Sequence, residues 1–252
     1  MIRARAVRCF LLLSCLAVAP LGGTAGAQSV EAARSAYAEG RFADAVRIGA
    51  ALGTSEGYAL AAGSLAIQGY YFAPDDEAEA LLEEATALAQ KAIRADPSNT
   101  DAYLRLVQAM GRHAQAIGSF EAINRGYAGK IREAAEKALE LDPESAPAHA
   151  ALGTWHAEVV AAAGSFIARI THGARESDAI AHFEAALKHA PDMKFVNLEC
   201  ALGLLILDED EYRARARELL ARAVELPAKD AYDRLLHKRA VERLRALDAS
   251  DG

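Results

Sequence analysis

The chain has 252 residues, a quarter of them charged, and its 28 Lys and Arg against 35 Asp and Glu give a formal net charge of −7. That length supports one domain, or two modest ones, with ample core. The acidic balance argues against nucleic acid or anionic lipid as the partner, since both need clustered Lys and Arg.

Residues 1–27 read as a secretory signal peptide. Arg3, Arg5 and Arg8 form a basic n-region, "CFLLLSCLAVAPL" an apolar core, and Ala25-Gly26-Ala27 a small-x-small cleavage site. A lipoprotein signal ending on Cys15 is the alternative, but the apolar core runs on past that cysteine. Cleavage would start the mature domain, 28–252, at Gln28 in the periplasm or outside the cell. It would remove three arginines and no acids, leaving 25 basic and 35 acidic residues, a net −10. The run is short for a membrane span, and no later stretch approaches ~20 uninterrupted apolar residues. Only Cys200 would remain, so stability must come from packing without an internal disulfide; within "LECALGLLIL" it reads as a buried, inert thiol.

From residue 28 onward Ala, Leu, Glu and Arg dominate, and no segment alternates as a strand does. "AYAEGRFADAVRIGAAL" (Ala36 to Leu52) reads as the turn and second helix of a first unit, with Gly40 in the turn. "SLAIQGYYFAPDDEAEA" (Ser64 to Ala80) reads as an elongated connection in a second. Pro97, Pro143, Pro191 and Pro227 then close four alanine-rich helices, because proline cannot continue a helix and displaces the residue before it from helical geometry. The prolines are 46, 48 and 36 residues apart. The two longer intervals carry insertions, "MGRHAQAIGSFEAINRGYAGK" and "WHAEVVAAAGSFIARITHGARES", each expected to extend a first helix by about two turns before a loop at Gly126 and Gly129, or at Gly173. Val159, Val160, Ala163, Phe166, Ile167 and Ile170 recur at helical spacing, as do Ala114, Ile117, Phe120 and Ile123. These stripes are expected to pack the two extensions together, with Gly118 and Gly164 allowing close approach. A last helix, Ala231 to Leu247, has the mixed apolar and charged pattern of a cap.

This punctuation resembles the tetratricopeptide repeat, a helix–turn–helix unit of about 34 residues marked W-x2-L-G-x2-Y, A-x3-F and P. Leu152-Gly153, with His156 at the Tyr position, and Ala179 to Phe183 before Pro191 carry the likeness best. Leu202-Gly203 with Ala216, Leu220, Ala223 and Pro227 form another near-standard unit. The resemblance implies an all-α, right-handed superhelix of about five helix pairs plus a C-terminal capping helix, with extended helices in the middle units. From about Lys130 to Leu244 the chain also resembles the helical domain of the regulator-of-microtubule-dynamics type, through "GKIREAAEKALELDP", "LGTWHAEV", "FEAALKHAP" and "AVELPAKDAYD". The export signal keeps that likeness to the fold and away from microtubules. A more distant resemblance, without a motif of its own, is to the helical-repeat component of solute-binding-protein-dependent transporters.

Chemistry is sparse. His149 and His156 are seven apart, as are His182 and His189, without the His-x3-His spacing and intervening acid of a helical zinc site. Asp208 to Glu211 lack the alternation and glycine of a calcium loop. No phosphate loop, nucleophile elbow or Cys–His pairing is present, so neither enzyme, metal site nor cofactor is expected. In repeat register the inner face would present Leu60, Ser64, Ile67, Leu104, Gln108, Thr154 and Ala157. Tyr71, Tyr103, Tyr127 and Trp155, near Arg112 and His113, either fill the core or form an aromatic and polar patch. The candidate binding residues are therefore Tyr71, Tyr103, Gln108, Arg112, His113, Tyr127, Thr154 and Trp155. The expected occupant is a protein or peptide partner of the cell envelope; the alternative is an apolar small ligand held by an accessory protein for solute uptake. A closed pocket of several hundred Å3 would favour the ligand, and an open groove the peptide.

Overall fold

The computed structural model describes residues 29–249. The expected leader, with Cys9 and Cys15, lies outside the described residues, as do the side chains of Ser119, Phe120 and Ile123. Among the described residues there are thirteen helices and no strand. The first two pairs are α1 (Val30–Glu39) with α2 (Phe42–Ala51) and α3 (Ser55–Tyr71) with α4 (Asp75–Ala95). In the third, α5 (Thr100–Ile117) is followed by the short α6 (Ser119–Asn124) and then by its partner α7 (Tyr127–Leu141). The fourth repeats that plan with α8 (Ala146–Ala163), α9 (Ser165–His172) and α10 (Glu176–His189). The fifth pair is α11 (Lys194–Leu207) with α12 (Glu209–Glu225), and α13 (Ala231–Ala249) follows. This is an all-α helical-repeat superhelix of five pairs and a final helix, as the sequence implies.

Local chemistry sets the helix ends. Ala95, Leu141, His189 and Glu225 each lie two residues before one of the four prolines. Side-chain oxygens of Ser29, Thr54, Asn99 and Asp208 accept from backbone N–H groups in the first turn of α1, α3, α5 and α12. Gly40 ends α1 in the left-handed region, with φ 89°. Small residues are placed where helices cross. Gly153 of α8 and Gly203 of α11 both face the buried ring of Phe183 on α10, so one aromatic fills the junction of three helices.

The insertions differ from expectation. The added turns do not continue the first helices but form separate short helices, α6 and α9, set off at Gly118 and Gly164. The expected breaks at Gly126 and Gly173 are present, each in left-handed backbone beside a helix end, whereas Gly129 lies inside α7. Gly118 has φ 81° and ψ 162°, and Gly164 has φ 76° and ψ 149°; such backbone is open essentially only to glycine. Nothing lies within 4 Å of where either would carry a Cβ, so these glycines turn the chain instead of permitting close approach. Phe166, Ile167 and Ile170 are exposed, at 64%, 49% and 63% of their surface, so the expected core between the insertions is absent on the α9 side. Its partner residues Phe120 and Ile123 lie outside the described side chains. The physical reason is that α5 and α8 are held apart: their facing sides wall a cavity.

The superhelix also closes on itself. α13 packs on α11 and α12 and reaches α1. A Cβ on Gly40 would lie 3.1 Å from that of Ala231, and the rings of Tyr71 and Tyr232 are 6.4 Å apart. Phe42 and Ile67 from the first two pairs share one buried cluster with Tyr232 and Leu236 of α13. Burying such side chains contributes about 1.5–3 kcal/mol each relative to exposure. The last helix therefore caps the fifth pair and joins it to the first. Ile67, with Ser64 and Ala157, is buried under neighbouring helices and not displayed on an open inner face.

Candidate functional site

The first helices of the third, fourth and fifth pairs, with α1 and α13 at one side, surround a cavity of about 320 Å3. α5 and α8 run through it in equivalent register. Leu104, Arg105, Gln108, Gly111, Arg112 and Gln115 of α5 follow three- and four-residue steps, and so do Pro147, Ala150, Ala151, Thr154, Trp155 and Glu158 of α8. Tyr37, Phe195 and Tyr232 bring aromatic surface from α1, α11 and α13. The cavity is partly open to solvent, with mostly apolar walls and a few polar groups, the composition expected of a recognition site.

Its polar groups are organised around Arg112. The guanidinium donates to Glu199 Oε1 at 3.0 Å and to Gln115 Oε1 at 3.1 Å, and lies 4.2 Å from the centre of the Tyr70 ring. Arg239 donates to the same Glu199 oxygen at 3.2 Å. Burial opposes the Arg112 charge, but Glu199 together with Tyr232, Tyr70 and Tyr71 outweighs it and holds the group protonated. Arg105 donates to Gln108 at 3.1 Å and pairs with Asp101, also at 3.1 Å. Glu158 is exposed at the cavity rim and has no ion pair among the described side chains; partial desolvation there, with Glu199 adding to it, pushes its carboxyl above the usual range. Thr154 Oγ1, Arg105 Nε and the Tyr232 hydroxyl are buried without a hydrogen-bond partner. Burial also pushes the Tyr232 phenol up, so it stays neutral.

Of the eight residues singled out by sequence, the cavity brings together Gln108, Arg112, Thr154 and Trp155. Trp155 serves as core and wall together: it is 4% exposed, its Nε1 donates to Ala128 O at 2.8 Å, and it packs with Val160 and Ala168. Tyr71 stands behind the wall, between Tyr70 and Tyr232. Tyr103 is on the other side of α5, its hydroxyl donating to Pro97 O at 3.2 Å. His113 and Tyr127 form a buried pair away from the cavity, with the Tyr127 hydroxyl 2.9 Å from His113 Nδ1 and Arg125 Nη1 3.4 Å from Nε2. Burial, and then Arg125, push the His113 pKa down. Those last four are corrections to an expected single patch: each sits on a helix side turned from the cavity. Sequence reasoning passed over Arg105, Gln115 and Glu158, although Glu158 is one turn from Thr154. It had no means of finding Tyr37 or Tyr232, which arrive through ring closure.

Beside this cavity, α9 presents its exposed apolar face. It is anchored by Ala168, buried against Trp155, and by Arg132, whose Nη1 donates to His172 O at 2.9 Å while its guanidinium lies 5.4 Å from the Trp155 ring. Cys200 is buried elsewhere, its thiol pushed up to about 12 by burial. Among the described residues no three His, Cys, Asp or Glu are grouped to hold a metal ion, and no helix is long and apolar enough to cross a membrane.

A crystal structure of a thermophilic TPR protein from Thermus thermophilus superposes with a TM-score of 0.56. It is 19% identical and covers 84% of this chain and 96% of its own, a likeness of fold. A search of curated proteins finds no match. The family model described as "Regulator of microtubule dynamics protein 1-3" matches residues 59–248, which takes in α4 to α12 and most of α3 and α13. With well over half of its length matched, the chain belongs to the regulator of microtubule dynamics protein 1-3 family.

Proposed function

We propose that the protein is an exported, non-catalytic recognition module of the cell envelope that holds a segment of a protein or peptide partner. The segment enters the cavity between α5 and α8, and the apolar face of α9 provides the adjoining contact. The observation that carries this reading is the position of Phe166, Ile167 and Ile170, exposed on a helix anchored to the cavity wall at Trp155. Clustered, exposed large apolar side chains mark interaction surfaces more often than they mark idle surface. Export is supported by the basic n-region, apolar core and cleavage site of residues 1–27. The family name describes a microtubule function of other members, and an envelope location separates this chain from it. The non-catalytic reading is supported by Arg112, Glu199 and Arg239, which spend their hydrogen bonds on one another instead of converging on a nucleophile.

The second reading, an accessory protein for solute uptake, is favoured by the cavity volume, about 320 Å3, which lies within the range of small-ligand sites. Photo-crosslinking from Ile167 and from exposed Glu84 on α4 tests the first reading in intact cells. The expected result is a discrete adduct at Ile167 and none at Glu84. Equal labelling at both positions, or no adduct at Ile167, would overturn it. Native mass spectrometry of the exported protein carrying a stoichiometric small molecule would establish the solute reading in its place.

A further inference from the structure

Four of the seven histidines stand in one column between α8 and α10. His189 stacks on His149 with ring centres 5.8 Å apart, and His182 stacks on His156 at 5.7 Å. Between these two stacks, His149 Nδ1 and His182 Nδ1 face each other at 3.0 Å. We propose that His149 and His182 form a two-histidine chelate for a borderline divalent transition ion, with Cu2+ preferred over Ni2+ and Zn2+ and the remaining positions taken by water.

The separation fits the chemistry. Imidazole nitrogens bind such ions at about 2.0–2.1 Å, so two neighbouring ligands are about 2.8 Å apart at a right angle and about 3.4 Å apart at a tetrahedral one. The observed 3.0 Å falls between these limits. The second ring nitrogen of His149 is placed as a metal ligand requires. Nε2 lies 3.1 Å from Pro143 O, an acceptor only, so Nε2 carries the proton and Nδ1 presents its lone pair to His182. In the metal-free state His182 donates Nδ1–H to that lone pair. An ion takes the place of the Nδ1 proton, which passes to solvent while Nε2 takes one up, so His182 becomes its Nε2–H tautomer with no net proton released.

His149 and His182 are half-buried, and exposed His189 at the end of the column leaves an approach from solvent. Two nitrogen ligands with open positions favour Cu2+ by the usual order of divalent affinities, and give no hold on Mg2+ or Ca2+, which need oxygen cages. The site bridges α8 and α10, the two helices of the fourth pair, and is separate from the cavity. Its success or failure therefore bears on nothing proposed for the partner.

The test uses the untagged exported chain with CuCl2 alone, followed by titration calorimetry and electron paramagnetic resonance. The expected result is one Cu2+ per chain with hyperfine structure from two imidazole nitrogens, and a raised Tm. His149→Asn and His182→Asn should each weaken binding at least tenfold, while His113→Asn and His237→Asn leave it unchanged. MgCl2 should produce no heat and no Tm shift. The proposal is overturned if Cu2+ binding survives both column substitutions, or if the wild-type spectrum shows fewer than two nitrogens. That spectrum needs no variant, so a variant that failed to fold would leave the outcome decisive.

Discussion

The ring of Phe183 occupies the place where Gly203 would carry a side chain: a Cβ built there would lie 2.2 Å from Cζ. No real Cβ tolerates that distance, and the ring has little room to pivot because Gly153 meets the adjoining edge, with a built Cβ 2.5 Å from Cδ1. Gly203→Ala should therefore overpack the junction of α8, α10 and α11 and destabilise the fold by about 1–3 kcal/mol. Phe183→Ala should cost about 3–5 kcal/mol by leaving a void at the same place. Denaturant unfolding measures both, and the double variant should cost less than the sum, because the new methyl occupies part of the void.

The apolar side chains of α9 should behave in the opposite way. Phe166 is exposed, and the Arg169 guanidinium lies 5.9 Å from its ring centre. Phe166→Ala should alter stability by no more than about 0.5 kcal/mol, the range of ordinary surface substitutions. A loss of ~3 kcal/mol, the value for a buried aromatic, would show that α9 is covered in solution.

That contrast separates what was legible in the sequence from what was not. Pro97, Pro143, Pro191 and Pro227 place helix ends by a local steric rule, and Leu152-Gly153 and Leu202-Gly203 place crossings by size, so five pairs and a final helix could be read off directly. Gly118 and Gly164 could not be interpreted in the same way. A glycine within an apolar helical pattern serves equally for close approach or for positive φ, and only the backbone distinguishes the two. The site was half legible for a related reason. Gln108 with Arg112, and Thr154 with Trp155, share helix faces that periodicity defines. Tyr37 and Tyr232 enter through contact between the two ends of the chain, and no local pattern encodes that contact.

Glu158 gives the account a pH dependence. Partial desolvation and Glu199 raise its folded pKa above the unfolded value, so the native state binds its proton more tightly than the unfolded chain does, by an amount that solvent screening of this exposed side chain keeps small. The resulting penalty is complete above the folded pKa and is relieved as pH falls through it towards the ordinary carboxylate range. Glu158→Gln should therefore raise Tm at pH 7.5, and the gain should shrink and vanish near pH 4. Thermal unfolding across that window checks the sign; a Tm gain that grows as the pH is lowered would contradict it.

The central claim, that the cavity between α5 and α8 receives the partner, is tested most directly by filling it. Ala151 lines the cavity from α8 and is partly exposed, so Ala151→Trp places an indole in the space without entering a packed junction. The measurement is the affinity of this variant, relative to the unsubstituted chain, for the partner crosslinked at Ile167. With helix content and Tm unchanged, the account predicts a loss of affinity of at least tenfold. Equal affinity in the filled variant would contradict it and leave α9 alone as the docking surface.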